Sequence, residues 1–170
     1  MPTLLLMVRL AQAAAPLPCT APEYRQFDFW LGEWEVRGPK GKLAGTNRIT
    51  AIENGCALEE NWKSAGGGTG RSINAYRPWT KTWHQTWVGA DGLVLLLEGR
   101  YDGDRMVLEG TSPSQAGPNF SSDSTVLNRI TWSRLDGGKV RQFWEQSSDR
   151  GKTWTVAFDG TYSRGAPAKE

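Results

Sequence analysis

Phe27-Asp28-Phe29-Trp30-Leu31-Gly32-Glu33-Trp34-Glu35-Val36 holds the densest aromatic surface of the chain, and its two halves follow different periodicities. Phe27, Trp30 and Leu31 stand at i, i+3 and i+4, the spacing of one apolar face over a single helical turn. Gly32 can release that turn, because it adopts backbone conformations that other residues resist. Beyond it, Trp34 and Val36 alternate with Glu33, Glu35 and Arg37, the period of a strand buried on one face. A short helical plug therefore leads straight into a first strand. Neither part buries its own aromatics, so the remaining chain has to supply a sheet that curls around them.

The remaining chain reads as that sheet. Residues 43 to 55 form a β-branched run that ends in the turn signal Asn54-Gly55, and Cys56 to Ser64 follows at hairpin distance. Further strand patterns cover Ser72 to Tyr76, Thr82 to Val88, Leu93 to Tyr101, Met106 to Gly110, Thr125 to Leu135, Val140 to Gln146 and Thr153 to Ser163. Asp91-Gly92, Asp102-Gly103 and Asp136-Gly137-Gly138 punctuate them. Residues 112 to 123, rich in Ser, Pro, Gly and Asn, form the one long loop and a candidate rim segment. About nine or ten short strands with no crossover helix predict an all-β fold, a single up-and-down antiparallel β-barrel with a short N-terminal helical plug. A two-sheet sandwich is the competing architecture.

At 170 residues the chain suits one domain with a sizeable core. A net charge of +2 with both signs interspersed offers no basic stripe, which argues against nucleic acid and anionic membrane as partners. Nine tryptophans and twenty glycines lean the composition toward pleated surfaces joined by tight turns. Leu4 to Val8 is a short apolar run, and Ala11 to Ala15 offers A-x-A cleavage sites, so residues 1–15 read as a signal peptide, 16–26 as an arm, 27–164 as the barrel and 165–170 as a tail. Arg9 interrupts the apolar stretch, and no Lys or Arg precedes it. That run is far too short to span a bilayer. The expectation is a periplasmic or secreted protein, with a cytoplasmic location as the alternative. Cys19 and Cys56 are the only cysteines, and they form either a disulfide between arm and barrel or two idle thiols.

Several motifs resolve to structure rather than chemistry. Gly66-Gly67-Gly68-Thr69-Gly70-Arg71-Ser72 invites comparison with a phosphate-binding loop, but Ala65 takes the first glycine position, Arg71 the lysine position, and a strand-like segment follows. A hairpin tip is the reading it supports. Ser147-Ser148-Asp149-Arg150-Gly151-Lys152-Thr153-Trp154 fits the Asp-box turn, in which a carboxylate accepts backbone amides and a tryptophan packs under the hairpin. With one copy and no repeat period, it marks a turn, not a propeller. The single histidine, His84, and the absence of a His or Cys cluster predict no metal site. No Gly-x-Ser-x-Gly elbow accompanies it.

The functional signal is polar side chains where a small barrel's lumen would otherwise be apolar. Glu60, Asn74, Tyr76, Gln85, Trp87, Glu98, Arg129, Trp144 and Glu145 are the candidate ligand-binding residues. Glu60, Glu98 and Glu145 are expected to meet Arg129 inside, because an unpaired buried charge is costly; each is alternatively an exposed strand residue. Trp30, Trp34, Trp132 and Trp154 are assigned to core packing, and Trp87 and Trp144 to the cavity. On Thr82 to Val88, Trp83, Gln85 and Trp87 share one face and His84 with Thr86 the other.

The plug with Phe27-Asp28-Phe29-Trp30-Leu31-Gly32-Glu33-Trp34, then Gly70-Arg71-Ser72, Trp83-His84-Gln85-Thr86-Trp87, Gly151-Lys152-Thr153-Trp154 and Phe158-Asp159-Gly160, resembles the bacterial exported lipocalin-like family called domain of unknown function 1579. The resemblance covers about residues 24 to 164 and implies a calycin-type barrel, with no assigned activity or catalytic residues. The plug and Gly-x-Trp opening is also similar to lipocalins, fatty-acid-binding proteins and nitrobindins. Nitrobindins hold haem through a histidine late in the barrel. Here His84 lies mid-sequence and nothing in Thr153 to Ser163 replaces that ligand, so no cofactor is expected. Three functions follow as expectations: a barrel binding a small apolar or amphipathic molecule; a metal-independent isomerase, cyclase or decarboxylase using interior Glu and Arg; or an interaction domain.

Overall fold

Alternate side chains of ten antiparallel strands turn inward, and the hydrogen-bonded ladder closes on itself, so the sheet keeps no free edge. The computed structural model describes residues 18–114 and 125–165. Its strands are β1 (Gly32–Arg37), β2 (Leu43–Ile52), β3 (Ala57–Ser64), β4 (Thr69–Arg77), β5 (Thr82–Gly89), β6 (Val94–Tyr101), β7 (Arg105–Pro113), β8 (Thr125–Leu135), β9 (Lys139–Ser147) and β10 (Thr155–Arg164). Each pairs with its sequence neighbours, and β1 closes the cylinder on β10 with Val36 opposite Tyr162. The architecture is a lipocalin-like up-and-down barrel, not a sandwich. Residues 1–15, assigned to a leader, lie outside the described residues, as do most of the 112–123 connection and the tail after residue 165. Among the described residues no helix is long and apolar enough to cross a membrane.

The plug is tighter than one α-helical turn. Two 3-10 segments, Pro22–Arg25 and Asp28–Trp30, precede β1, and the Trp30 and Leu31 amides donate to Phe27 and Asp28 at 3.1 and 3.0 Å. With three residues per turn, Phe27 and Trp30 eclipse on one side, so both are fully buried while Leu31 is only half-buried. The Phe27 ring stacks on Trp30 at 4.9 Å and meets Trp132 and Trp83 edge-on at 5.2 and 5.6 Å. Aromatic pairs of this kind contribute roughly 0.5–1.5 kcal/mol each beyond the area they bury. Gly32 then turns the chain into β1 at φ +132°, and a Cβ there would sit 1.6 Å from the Arg164 guanidinium. That guanidinium donates to the Leu31 carbonyl at 2.8 Å and covers the Trp34 ring. One end of the barrel is thereby stoppered.

The arm in front of the plug is fastened to the same end. A disulfide joins Cys19 to Cys56, at the start of the β2–β3 hairpin's return, and Arg25 donates to the Gly55 carbonyl beside it. The Asn54-Gly55 turn is built from three successive left-handed residues, Glu53, Asn54 and Gly55. At the opposite end the β9–β10 hairpin carries the Asp-box geometry. Asp149 accepts from the Lys152 and Thr153 amides at 3.0 and 2.8 Å and from the Thr153 hydroxyl at 2.6 Å. Hydrogen bonds from Thr153 and Ser147 draw the Asp149 carboxyl down to about 2.

Candidate functional site

Above the plug the lumen turns polar. Strand alternation points Asn47 of β2, Glu60 of β3, Ser72 and Asn74 of β4 and Gln85 of β5 inward, and all five are buried. Ser72 stands opposite Glu60 in register and Gln85 opposite Asn74, so cross-strand neighbours bond directly. Asn47 Nδ2 and the Ser72 hydroxyl each donate to one Glu60 oxygen at 2.7 Å. Gln85 Nε2 donates to Asn74 Oδ1 at 2.8 Å, and Asn74 Nδ2 donates to the Ser72 hydroxyl at 2.9 Å. Across the lumen the Tyr162 hydroxyl of β10 donates to Gln142 Oε1 of β9. Asn47 Nδ2, 3.3 Å from the same hydroxyl, joins the two sets.

Burial raises the Glu60 carboxyl to about 7, against the pull of its hydrogen bonds from Ser72 and Asn47. Among the described residues no basic side chain offsets that cost. Burial, and then the proximity of Glu60, push the Tyr162 phenol well above its usual range, so it stays protonated and remains a donor.

Glu60, Gln85, Gln142 and Tyr162 form the polar part of a cavity of about 260 Å³ near the end opposite the plug. Its aromatic walls are Trp62, Trp87, Trp144 and Phe158, with Leu95 and Ile130 as aliphatic filler. Trp144 is held in place by its indole N–H, which donates to Asn128 Oδ1 at 2.9 Å. Three of the rings pack against glycines. A Cβ on Gly70 would come within 2.2 Å of the Trp87 ring, one on Gly160 within 2.5 Å of Phe158, and one on Gly45 within 2.7 Å of Trp62. Space, not backbone freedom, explains these glycines: at Gly70 and Gly160 a side chain would drive the ring into the lumen, and at Gly45 it would first meet the Lys63 carbonyl at 2.2 Å.

Of the residues singled out from sequence, Glu60, Gln85, Trp87 and Trp144 line this cavity. Asn74 stands behind Gln85 as a hydrogen-bonding support. Tyr76 points inward but at the plug end, packed edge-on against Tyr24 and beside Trp83. The expected interior group of Glu98, Glu145 and Arg129 does not form, because all three occupy outward positions of their strands. Glu98 accepts from the Thr82 hydroxyl and pairs with Arg77 at the surface, contacts that lower its carboxyl pKa. Arg129 pairs with Glu109 on the neighbouring strand and covers the Trp154 ring at 4.1 Å, which moves Trp154 out of the core and onto the outer hairpin. Glu145 is the cross-strand neighbour of Arg129 on that outer face. His84 also faces outward, within hydrogen-bonding distance of the Thr86 hydroxyl at 3.0 Å.

Asn47, Ser72, Gln142, Tyr162 and Phe158 were not among the predicted residues. Their signal was parity: once Glu60 and Gln85 are set inward, Ser72 and Asn74 follow on β4, and Gln142 follows from Trp144 on β9. Among the described residues no three His, Cys, Asp or Glu side chains come together as a metal site would require. No family model matches the sequence, and no curated protein matches it.

Proposed function

We propose that the protein binds a small amphipathic molecule in the lumen of its barrel, with the apolar part among Trp62, Trp87, Trp144 and Phe158 and the polar part on Glu60, Gln85 and Gln142. The observation that carries this reading is the cavity itself, about 260 Å³ of space kept open by glycines behind its rings and ending on a hydrogen-bonded carboxylate. A barrel serving structure alone has every reason to fill that space, because interiors are close-packed and each void forfeits contacts. Tryptophan fluorescence tests it. Hydrophobes of about ten non-hydrogen atoms, scaled from a cavity of about 150 Å³ that holds benzene, are expected to quench or shift emission in the wild-type protein. Trp87→Ala should lose that response, and an equal response in both proteins refutes the placement.

A second reading is favoured by one observation, the Glu60 carboxyl at about 7 beside the cavity. Such a group is suited to exchanging protons near neutrality, so a metal-independent acid–base reaction on the bound molecule is the enzyme alternative. In that case Glu60→Gln keeps ligand affinity and abolishes turnover. Interior arginine takes no part, since Arg129 is outside. We also read the Cys19–Cys56 bridge and the leader-like first fifteen residues as supporting a periplasmic or secreted location. The motif resemblance supports placement with the exported lipocalin-like proteins of domain of unknown function 1579.

A further inference from the structure

We infer that the molecule held in the lumen is a small organic cation, a primary or secondary ammonium on an aromatic or short aliphatic body. This rests on the proposed binding role and narrows it to one chemical class.

Two features of the cavity converge on that class. The first is charge: Glu60 is the only ionisable carboxylate among the residues that line it, and none of the lining residues is Lys, Arg or His. A buried carboxylate without a cationic partner is costly, and a ligand that brings a positive charge removes the cost on binding. The second is the wall. Trp62, Trp87, Trp144 and Phe158 surround the same space, and aromatic rings attract desolvated cations, tryptophan most strongly.

The hydrogen-bonding capacity distinguishes an N–H-bearing ammonium from a quaternary one. Each Glu60 oxygen accepts one bond from the protein, Oε1 from Asn47 and Oε2 from Ser72, and a carboxylate oxygen has room for a second. Gln85 commits its Nε2 to Asn74 and Ser72, which leaves its Oε1 as a further acceptor. Gln142, whose Oε1 is taken by the Tyr162 hydroxyl, faces the cavity with its amide N–H instead, so an N–H-bearing ligand head is matched on the Glu60 and Gln85 side, and a carboxylate or phosphate there is repelled by the Glu60 charge. The size of about 260 Å³ corresponds to roughly ten non-hydrogen atoms on the benzene scale.

The test is calorimetric titration of the full chain with three probes of matched shape: 2-phenylethylamine, 2-phenylethanol and phenylacetate. At pH 8 the amine is expected to bind at least tenfold more tightly than the alcohol, and the carboxylate not at all. In Glu60→Gln the amine's advantage over the alcohol should vanish. Should that variant fail to fold, the wild-type pH profile decides. With the carboxyl near 7, about a tenth of Glu60 is ionised at pH 6 and nine tenths at pH 8, so amine affinity should fall about tenfold between them. A flat profile, or alcohol and carboxylate binding as tightly as the amine, overturns the cation assignment and leaves a binding barrel. Failure of all three probes to bind overturns both.

Discussion

Glu60 makes the protein's stability depend on pH in a direction opposite to that of most carboxylates. Its carboxyl titrates near 7 in the fold and near 4.5 when exposed, because burial between Asn47, Ser72 and Tyr162 disfavours the charged form. A carboxyl raised on folding contributes stability that is fully present below its unfolded value and is lost as pH rises through its folded value. The rise from 4.5 to about 7 corresponds to roughly 3 kcal/mol across that window. For a chain of 170 residues this is on the order of 6–12 °C in melting temperature. Other carboxylates pull the other way: Asp149, Asp159 and Glu98 are all lowered by their hydrogen bonds and lose their stabilisation only as pH falls. The informative quantity is therefore the difference between wild type and Glu60→Gln, in which the shared terms cancel. Urea unfolding at pH 5 and pH 8 should show the wild type losing about 2–3 kcal/mol more than the variant on the way up. Glu60→Gln gives up one of the two bonds donated by Asn47 and Ser72, a loss of about 1 kcal/mol that is constant with pH. Parallel pH dependence of the two proteins would refute the buried, unpaired carboxylate on which the cation inference also draws.

Other consequences can be checked separately. Replacing both Cys19 and Cys56 with Ser releases a loop of 37 residues and should cost about 4 kcal/mol, seen as a large drop in urea midpoint that reduction of the wild type reproduces. Gly70→Ala places a methyl 2.2 Å from the Trp87 ring, so the indole must move into the lumen; a typical overpacking cost of about 1–3 kcal/mol, an altered emission spectrum and loss of probe binding are expected with the far-UV spectrum unchanged. Asp149→Ala should speed hydrogen exchange at the Lys152 and Thr153 amides and leave β4–β6 protected. In the wild type the Asp149 contribution is intact above 3.8 and fades as pH falls through about 2, which acid titration of those amides would report.

The barrel was legible because local signals agreed with one another. Asn54-Gly55, Asp102-Gly103 and Asp136-Gly137-Gly138 mark reversals between β-rich runs, and each falls where the chain turns. The plug was legible as a turn, though not as a 3-10 turn, since the Phe27–Trp30 and Phe27–Leu31 spacings both fit an apolar face and only the closed barrel decides between them. What sequence pattern could not settle was which face of a strand looks inward. In β6 the run Val94-Leu95-Leu96-Leu97 is apolar on both faces, and Leu96 ends 57% exposed, so hydrophobicity carries no parity signal and does not tell which way Glu98 points. In β8 the inward face is Val126, Asn128, Ile130 and Trp132, with Asn128 its one polar member, so placing Trp132 in the core already sends Arg129 outward.

Adjacency along a strand fixes the direction of Glu145 and Arg129. Trp144 and Glu145 are adjacent, so a strand cannot aim both into one lumen, and placing the indole inside obliges the carboxylate to leave. Arg129 is likewise excluded once Asn128 is needed inside to accept the Trp144 N–H. The glycines carry the complementary signal. Gly45, Gly70 and Gly160 stand at inward positions, where a core ordinarily places bulk, and each stands against a ring on the cavity wall. A glycine at an inward strand position sacrifices strand propensity and buried surface, a cost of about 1 kcal/mol or more that packing alone does not return. Gly45 is also required by the Lys63 carbonyl 2.2 Å away, but Gly70 and Gly160, whose nearest obstacle is the ring itself, are accounted for if the space in front of the rings, rather than the space behind them, is what the barrel has to preserve.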